Sequence, residues 1–363
     1  MLAYLHIPFC HRVCPYCSFY KHTPGSTPIG AFVEALGREA AARLPGLQEK
    51  PRTLYLGGGT PSMLSPTHLE RLFATLRESL DFAALEEVTM EANPATFDVE
   101  KARLFRQLGV IRVSLGIQSF SAHVLKILGR EHDPEQAAAA VTTLREASMP
   151  SVNIDLMFSI PGQSFEDWRE TLETTISLKP DHVSAYNLTY EEDTAFFESL
   201  QRGEMRADED RDASFFHLAH RLLTEAGYDH YETSNYARPG HHSSHNRGYW
   251  QGEDYIGLGP SAVSTVSRVR SQNVPDTARY VEMVNAIGNA IIGSEAIDAE
   301  AWRIERIALG LRTRDGIALD HIGSRPETLS ALLEAGYARI EDERLVLTEE
   351  GSALVDPIAG ELV

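Results

Sequence analysis

Cys10, Cys14 and Cys17 are the only cysteines in a chain of 363 residues, and they crowd into one short stretch, Tyr4-Leu5-His6-Ile7-Pro8-Phe9-Cys10-His11-Arg12-Val13-Cys14-Pro15-Tyr16-Cys17. A disulfide framework uses an even number of cysteines spread along a small secreted chain, so an odd cluster reads as a ligand set. Three thiolates spaced C-x3-C-x2-C suit soft metals. Two chemistries fit: a zinc site completed by His6, His11 or His22, or an iron–sulfur cluster with one iron left without a protein ligand. Packing as small apolar side chains is the bland reading, and it sits poorly with neighbouring Pro and His. Spacing alone leaves both metal chemistries open.

Other residues with chemical potential fall at regular places in an alternating pattern. Thr53-Leu54-Tyr55-Leu56 reads as a strand running into Gly57-Gly58-Gly59-Thr60, where glycines let backbone approach a ligand and offer edge hydrogen bonds. Helices are expected over 31–44, 66–80, 99–108, 134–147 and 165–178, and strands over 2–7, 53–56, 87–91, 111–117, 152–158 and 182–188. Strict alternation of strand and helix implies parallel strands joined by right-handed crossovers. In such barrels chemistry gathers at the carboxyl ends of the strands. Cys10, Gly58, Glu91, Gln118, Asp155 and Asn187 all lie at or just after those ends. The fold class expected is therefore α/β, a partial six-stranded (β/α) barrel over residues 1–235.

Composition bounds the rest. With 33 Lys and Arg against 52 Asp and Glu, the net charge of -19 disfavours nucleic acid and anionic membrane surfaces. No stretch approaches the ~20 apolar residues of a membrane span, and reduced thiols point to the cytoplasm. Residues 236–297, rich in Gly, Ser and Pro at first, read as loops across the open barrel mouth. Residues 298–363 read as a small α+β module of winged-helix-like order: two helices, two short strands and a last turn. That module carries 7 Lys and Arg against 14 Asp and Glu, so packing or partner docking is expected of it rather than DNA binding.

The motif Y-x-H-I-P-F-C-x3-C-x2-C resembles the radical S-adenosylmethionine (radical SAM) superfamily, and within it the porphyrin-related branch of oxygen-independent coproporphyrinogen oxidases and HemW-type haem chaperones. Ser114 to Phe120, Leu128-Gly129-Arg130 and Asn153 to Gly162 match further motifs of that branch in order and spacing. The resemblance implies a 4Fe-4S cluster on Cys10, Cys14 and Cys17, with S-adenosylmethionine (SAM) chelating the open iron. It implies SAM contacts from Tyr4, Tyr16, Gly58, Gly59, Thr60, Glu91, Gln118, Arg130 and Asp155. Carboxylates suit ribose hydroxyls, Arg130 suits the SAM carboxylate, and Tyr16 would pack near the adenine.

Within the branch, oxidases carry a fourth cysteine two residues after the third, where this chain has Phe19. The chaperones carry His-Asn-x-x-Tyr-Trp, and His245-Asn246-Arg247-Gly248-Tyr249-Trp250 supplies each fixed position. Ser261 and Val263 depart from the Gly-Ala-His usual there in chaperones. The resemblance implies a haem chaperone, with His245 the candidate haem ligand beside the barrel opening and haem the cargo. The alternative is radical decarboxylation of a porphyrinogen or another tetrapyrrole. Expected partners are haem or a related tetrapyrrole, an electron donor such as flavodoxin or ferredoxin, and haem-receiving proteins of the membrane; nucleic acid is not expected.

Overall fold

The computed structural model describes residues 1–25, 27–323 and 325–363. Six parallel strands lie side by side in chain order: β1 (Leu2–Ile7), β2 (Thr53–Gly58), β3 (Glu87–Ala92), β4 (Arg112–Gln118), β5 (Ser151–Phe158) and β6 (His182–Asn187). Helices α1 (Ile29–Arg43), α2 (Pro66–Ser79), α3 (Val99–Leu108), α4 (Ala122–Ile127), α5 (Pro134–Glu146) and α6 (Phe165–Leu178) connect them. Local chemistry sets their ends. Ser65 and Asp98 accept from backbone N–H groups of the first turns of α2 and α3, while Asp133 with Gln136 and Ser164 with Asp167 form capping boxes on α5 and α6. Leu2, Ala3, Leu5 and Ile7 of β1 are fully buried, which is the apolar pattern of a strand covered on both faces.

After α7 (Ala195–Gln201) and α8 (Glu209–Glu225), the short antiparallel strands β7 (Asp229–Glu232) and β8 (Asn235–Ala237) close the β6 edge. The stretch expected as loops over the mouth is instead ordered structure, placed elsewhere. Helix α9 (Ser244–Gln251) packs against the amino ends of the strands, and β9 (Tyr255–Leu258) adds in parallel to the outer side of β1. Strands β10 (Val263–Val266), β11 (Val269–Asn273) and β12 (Ile291–Ala296) extend the sheet to twelve strands, with α10 (Thr277–Ile287) over α1.

The glycines that read as loop serve close packing: a Cβ at Gly257 would fall 2.2 Å from the Val263 carbonyl oxygen, and one at Gly259 2.4 Å from that of His6. Buried Glu39 of α1 fastens this extension. It pairs with Arg43 at 2.8 Å and accepts from Gly259 N, Asn273 Nδ2 and the Tyr280 hydroxyl.

The remainder has its own apolar core of Ile307, Leu311, Leu332, Leu345 and neighbours. It comprises α11 (Ala299–Gly310), β13 (Ile317–Ala318), α12 (Leu319–Ile322), α13 (Pro326–Glu334), β14 (Ala338–Glu341), β15 (Arg344–Leu347), α14 (Glu349–Ser352) and α15 (Val355–Leu362). The third strand, β13, pairs with β15 and turns the expected hairpin into a small sheet.

Candidate functional site

A cavity of about 460 Å³ opens at the carboxyl ends of the parallel strands. Cys10, Cys14, Cys17, Tyr16, Gly58, Gly59, Thr60, Glu91, Gln118, Arg130 and Asp155 all line it. Residues scattered over 145 positions of sequence thus meet on one rim. The three thiols are free. Burial pushes the Cys10 and Cys17 thiols up, while the Thr60 hydroxyl donates to Cys10 Sγ at 3.5 Å and Arg130 Nη1 lies 3.6 Å from Cys14 Sγ. Two of the histidines weighed as zinc ligands are committed elsewhere. His6 Nε2 lies 2.6 Å from the Tyr20 carbonyl oxygen and its Nδ1 3.0 Å from the Tyr4 hydroxyl, and His22 uses both nitrogens on Thr23 O and Thr277 Oγ1, each at 2.7 Å. His11 remains, exposed on the cavity wall.

The glycine loop is built by its own neighbours. Gly58 has φ +108°, and a Cβ there would lie 2.6 Å from the His6 ring; one at Gly59 would lie 2.7 Å from the Phe9 carbonyl oxygen. The N–H of Gly58 donates to Glu91 Oε2 at 3.0 Å, and those of Gly59 and Thr60 donate to the carbonyls of Ile7 and Phe9 at 2.8 Å. These donors are spent on the protein. The glycines let the loop pack against His6 and the backbone of Pro8 and Phe9 rather than hold donors out to a ligand, a change from the sequence expectation.

Two half-buried carboxylates face the cavity. Burial, and then the charge of Asp155, push Glu91 up to about 7, although the Tyr55 hydroxyl donates to it at 2.9 Å. Asp155 is likewise raised by burial, while accepting from Ser114 Oγ at 2.8 Å and Asn153 Nδ2 at 2.7 Å. Asn153 continues inward: its Oδ1 lies 2.6 Å from His182 Nδ1, and His182 Nε2 lies 2.7 Å from the Tyr231 hydroxyl. A buried polar strut therefore runs from the cavity toward the far end of the barrel. Arg130 donates to the Gly116 carbonyl, but its buried Nε has no acceptor among the described residues. An orphaned guanidinium N–H on a cavity wall fits a carboxylate ligand.

Two sequence candidates fall outside the cavity. Tyr4 points beneath it, stacked on Tyr55 at 6.1 Å with its hydroxyl on His6. His245 is 1% exposed and sits at the amino ends of the strands, the end opposite the opening where a haem contact was expected. Its Nδ1 lies 2.8 Å from Thr53 Oγ1, its ring stacks on Tyr55 at 4.9 Å, and its N–H, with that of Ser244, donates to buried Glu87 at the first residue of β3. Motif spacing names a residue type but not which end of the barrel its helix covers. His241 and His242 share that end, beside Asp181 and Asp229. Ser261 and Val263 belong to the sheet extension, away from the cavity.

Sequence reasoning missed Tyr55, Met157 and Tyr186 on the cavity wall. Period-two alternation could have found Tyr55, since it faces away from buried Leu54 and Leu56.

A profile of the Radical SAM superfamily matches residues 4–175. The chain is 34% identical to the Heme chaperone HemW of Lactococcus lactis over 97% of this chain and 94% of that protein, and 37% identical to that of Mycobacterium tuberculosis over 99% and 94%. It is 33% identical to the mitochondrial radical S-adenosyl methionine domain-containing protein 1 of Danio rerio, over 98% of this chain and 85% of that one. The solved structure of coproporphyrinogen III oxidase (HemN) from Escherichia coli superposes with a TM-score of 0.84 over 99% of this chain and 89% of that one, at 24% identity, so the two share a fold. No helix among the described residues is long and apolar enough to cross a membrane. A cysteine-lined cavity on a barrel of this fold, joined to end-to-end similarity, leaves one assignment: the chain belongs to the HemW family of the radical SAM superfamily.

Proposed function

We propose that this protein is a haem chaperone, holding haem as cargo and delivering it to haem-dependent proteins. The observation that carries the reading is end-to-end similarity to proteins named Heme chaperone HemW at 34% and 37% identity. Phe19, 66% exposed on the cavity wall where the oxidases place a fourth cysteine, argues against the decarboxylase alternative.

Cys10, Cys14 and Cys17 would hold a 4Fe-4S cluster, and the donor set fits, being three soft, free thiols on one wall. Arg130 would take the carboxylate of SAM, Glu91 and Asp155 its ribose hydroxyls, and Tyr16, packed on Phe196 at 6.2 Å, would flank the adenine with Gln118. When bound, cluster and SAM supply one-electron chemistry. The chain's own part is to bind and orient: it sets Glu91 and Asp155 half-buried on the cavity wall and places Arg130 beside the thiols. Work in the cytoplasm, an electron donor of the flavodoxin or ferredoxin kind, and membrane-bound haem recipients complete the proposal.

His245 keeps its place in it only if α9 moves, because the imidazole is enclosed by Tyr55, Thr53 and Tyr249. The test is an anaerobic haem titration of cluster-reconstituted protein followed by spectroscopy, beside incubation with SAM, reductant and coproporphyrinogen. Tight haem binding without porphyrinogen turnover is the expected outcome. Turnover without haem binding would replace the chaperone with the enzyme.

A further inference from the structure

A second cavity, of about 230 Å³, lies on the seam between α9 and the C-terminal module. Trp250, Arg306, Asp315, His321 and Arg344 are on its wall. Arg306 Nη1 donates to the Gln251 carbonyl, which fixes the guanidinium over Gly252. Its other edge, Nε with Nη2, is buried and meets no acceptor among the described residues. Those two N–H groups form the side-on fork with which arginine grips a carboxylate or phosphate through paired hydrogen bonds. Trp250 Nε1, on the same wall, is also a buried donor with no acceptor. Three such donors on two residues that line one cavity are costly to leave unmade.

The charges around them agree. Asp315 is the acid on the wall, and it forms no ion pair with Arg306 or Arg344 among the described residues, while Arg344 spends Nε and Nη2 on the carbonyls of Asp315 and Gly316. Arg306 also lies over the face of Trp302, at 5.0 Å, which holds one face of the guanidinium in place. In a module with twice as many acids as bases, this seam is a local concentration of donors.

We propose that the cavity is a site for a small oxyanion, a carboxylate or phosphate group gripped by the Arg306 fork and the Trp250 indole N–H. The HNxxYW motif would thereby serve two places: its histidine inside the barrel, and its tryptophan at a ligand site on the seam. An anion bound there bridges α9 and α11, so it also stabilises docking of the C-terminal module. None of this depends on the haem reading.

Isothermal titration of the cluster-reconstituted full chain with inorganic phosphate, and separately with acetate, tests it against chloride at equal ionic strength. One site per chain is expected, with binding of phosphate alone identifying a phosphoanion and binding of acetate identifying a carboxylate. Arg306→Lys keeps the charge but loses the fork, and is expected to weaken binding by about tenfold or more. Trp250→Phe removes the N–H together with one ring of the indole, and is expected to weaken binding several-fold; with its melting temperature measured alongside, it keeps the test available should the lysine variant unfold. No binding of either anion above chloride, or wild-type affinity in a folded variant of either residue, would overturn the proposal.

Discussion

Glu91→Gln isolates the electrostatics of the main cavity. Folding raises this carboxyl from an ordinary 4.5 to about 7, first by burial and then by the charge of Asp155. Between those values the folded chain holds a proton that the unfolded chain has lost. The stability this group contributes is therefore present at low pH and disappears as pH rises through about 7. At about 1.4 kcal/mol per pH unit of difference, the gap is at most on the order of 3 kcal/mol, because Glu91 is partly exposed on the cavity wall and solvent screens part of it.

Glutamine carries no charge at any of these pH values and can keep both contacts. Its carbonyl accepts from Gly58 N–H, and the Tyr55 hydroxyl reverses to accept from the amide. Urea unfolding of the cofactor-free chain near pH 5 and near pH 8 should find the variant close to wild type at the lower value and more stable at the higher, by up to about 3 kcal/mol. Glu232, also raised to about 7 by burial, gives both proteins the same background slope, so the difference between them is the quantity to read. A difference that does not change with pH would refute the raised pKa of Glu91.

Changing Cys10, Cys14 and Cys17 to Ser should abolish acid-labile sulfide in anaerobically purified protein; zinc at one per chain in the wild type, without sulfide, would refute the cluster. Gly58→Val puts a Cβ 2.6 Å from His6 at φ +108°, so any loss of SAM affinity should arrive with a lowered melting temperature, by roughly 1–3 kcal/mol of strain. His245→Ala should lose roughly 2–4 kcal/mol by emptying a buried, stacked site while leaving the haem Soret band unchanged; loss of the band in a chain that still melts as wild type would return His245 to the haem site. Arg130→Met should weaken SAM binding by about tenfold or more without changing cluster content, checked by equilibrium dialysis.

Much of this architecture was legible because each barrel strand announces itself. Val152 to Phe158 and Leu2 to Ile7 are near-continuous apolar runs, and their helices begin at Asp, Ser or Pro signals. The rim was legible for the same reason: a strand end carrying Glu91 or Gln118 locates its side chain from the sequence alone. Strand β9 was not legible, because Tyr255-Ile256-Gly257-Leu258 is four residues long and its glycine reads as a turn. Only the Val263 carbonyl and the edge of β1 explain that glycine, and both are distant contacts or later neighbours. His245 was misplaced for a related reason. Its surroundings are Thr53, Tyr55 and Glu87, between 158 and 192 residues away in sequence, and no local pattern reports them.

The parallel pairing of β1 with β9 has a bearing on how the chain is made. Leu2 and Tyr255 are partners across 253 positions, and the Leu2 N–H finds its acceptor only at Asp254. At ~5–20 residues per second a ribosome takes tens of seconds to span that interval. Throughout it, the strand that leads into the cysteine loop has one bare edge, a template for pairing with other chains. Metal delivered during synthesis would meet thiols on an unfinished sheet; delivered after release, it would meet a framed loop. The edge of the strand that leads into the cysteine loop is thus closed by a strand made 253 positions later, one that contributes no residue to the cavity.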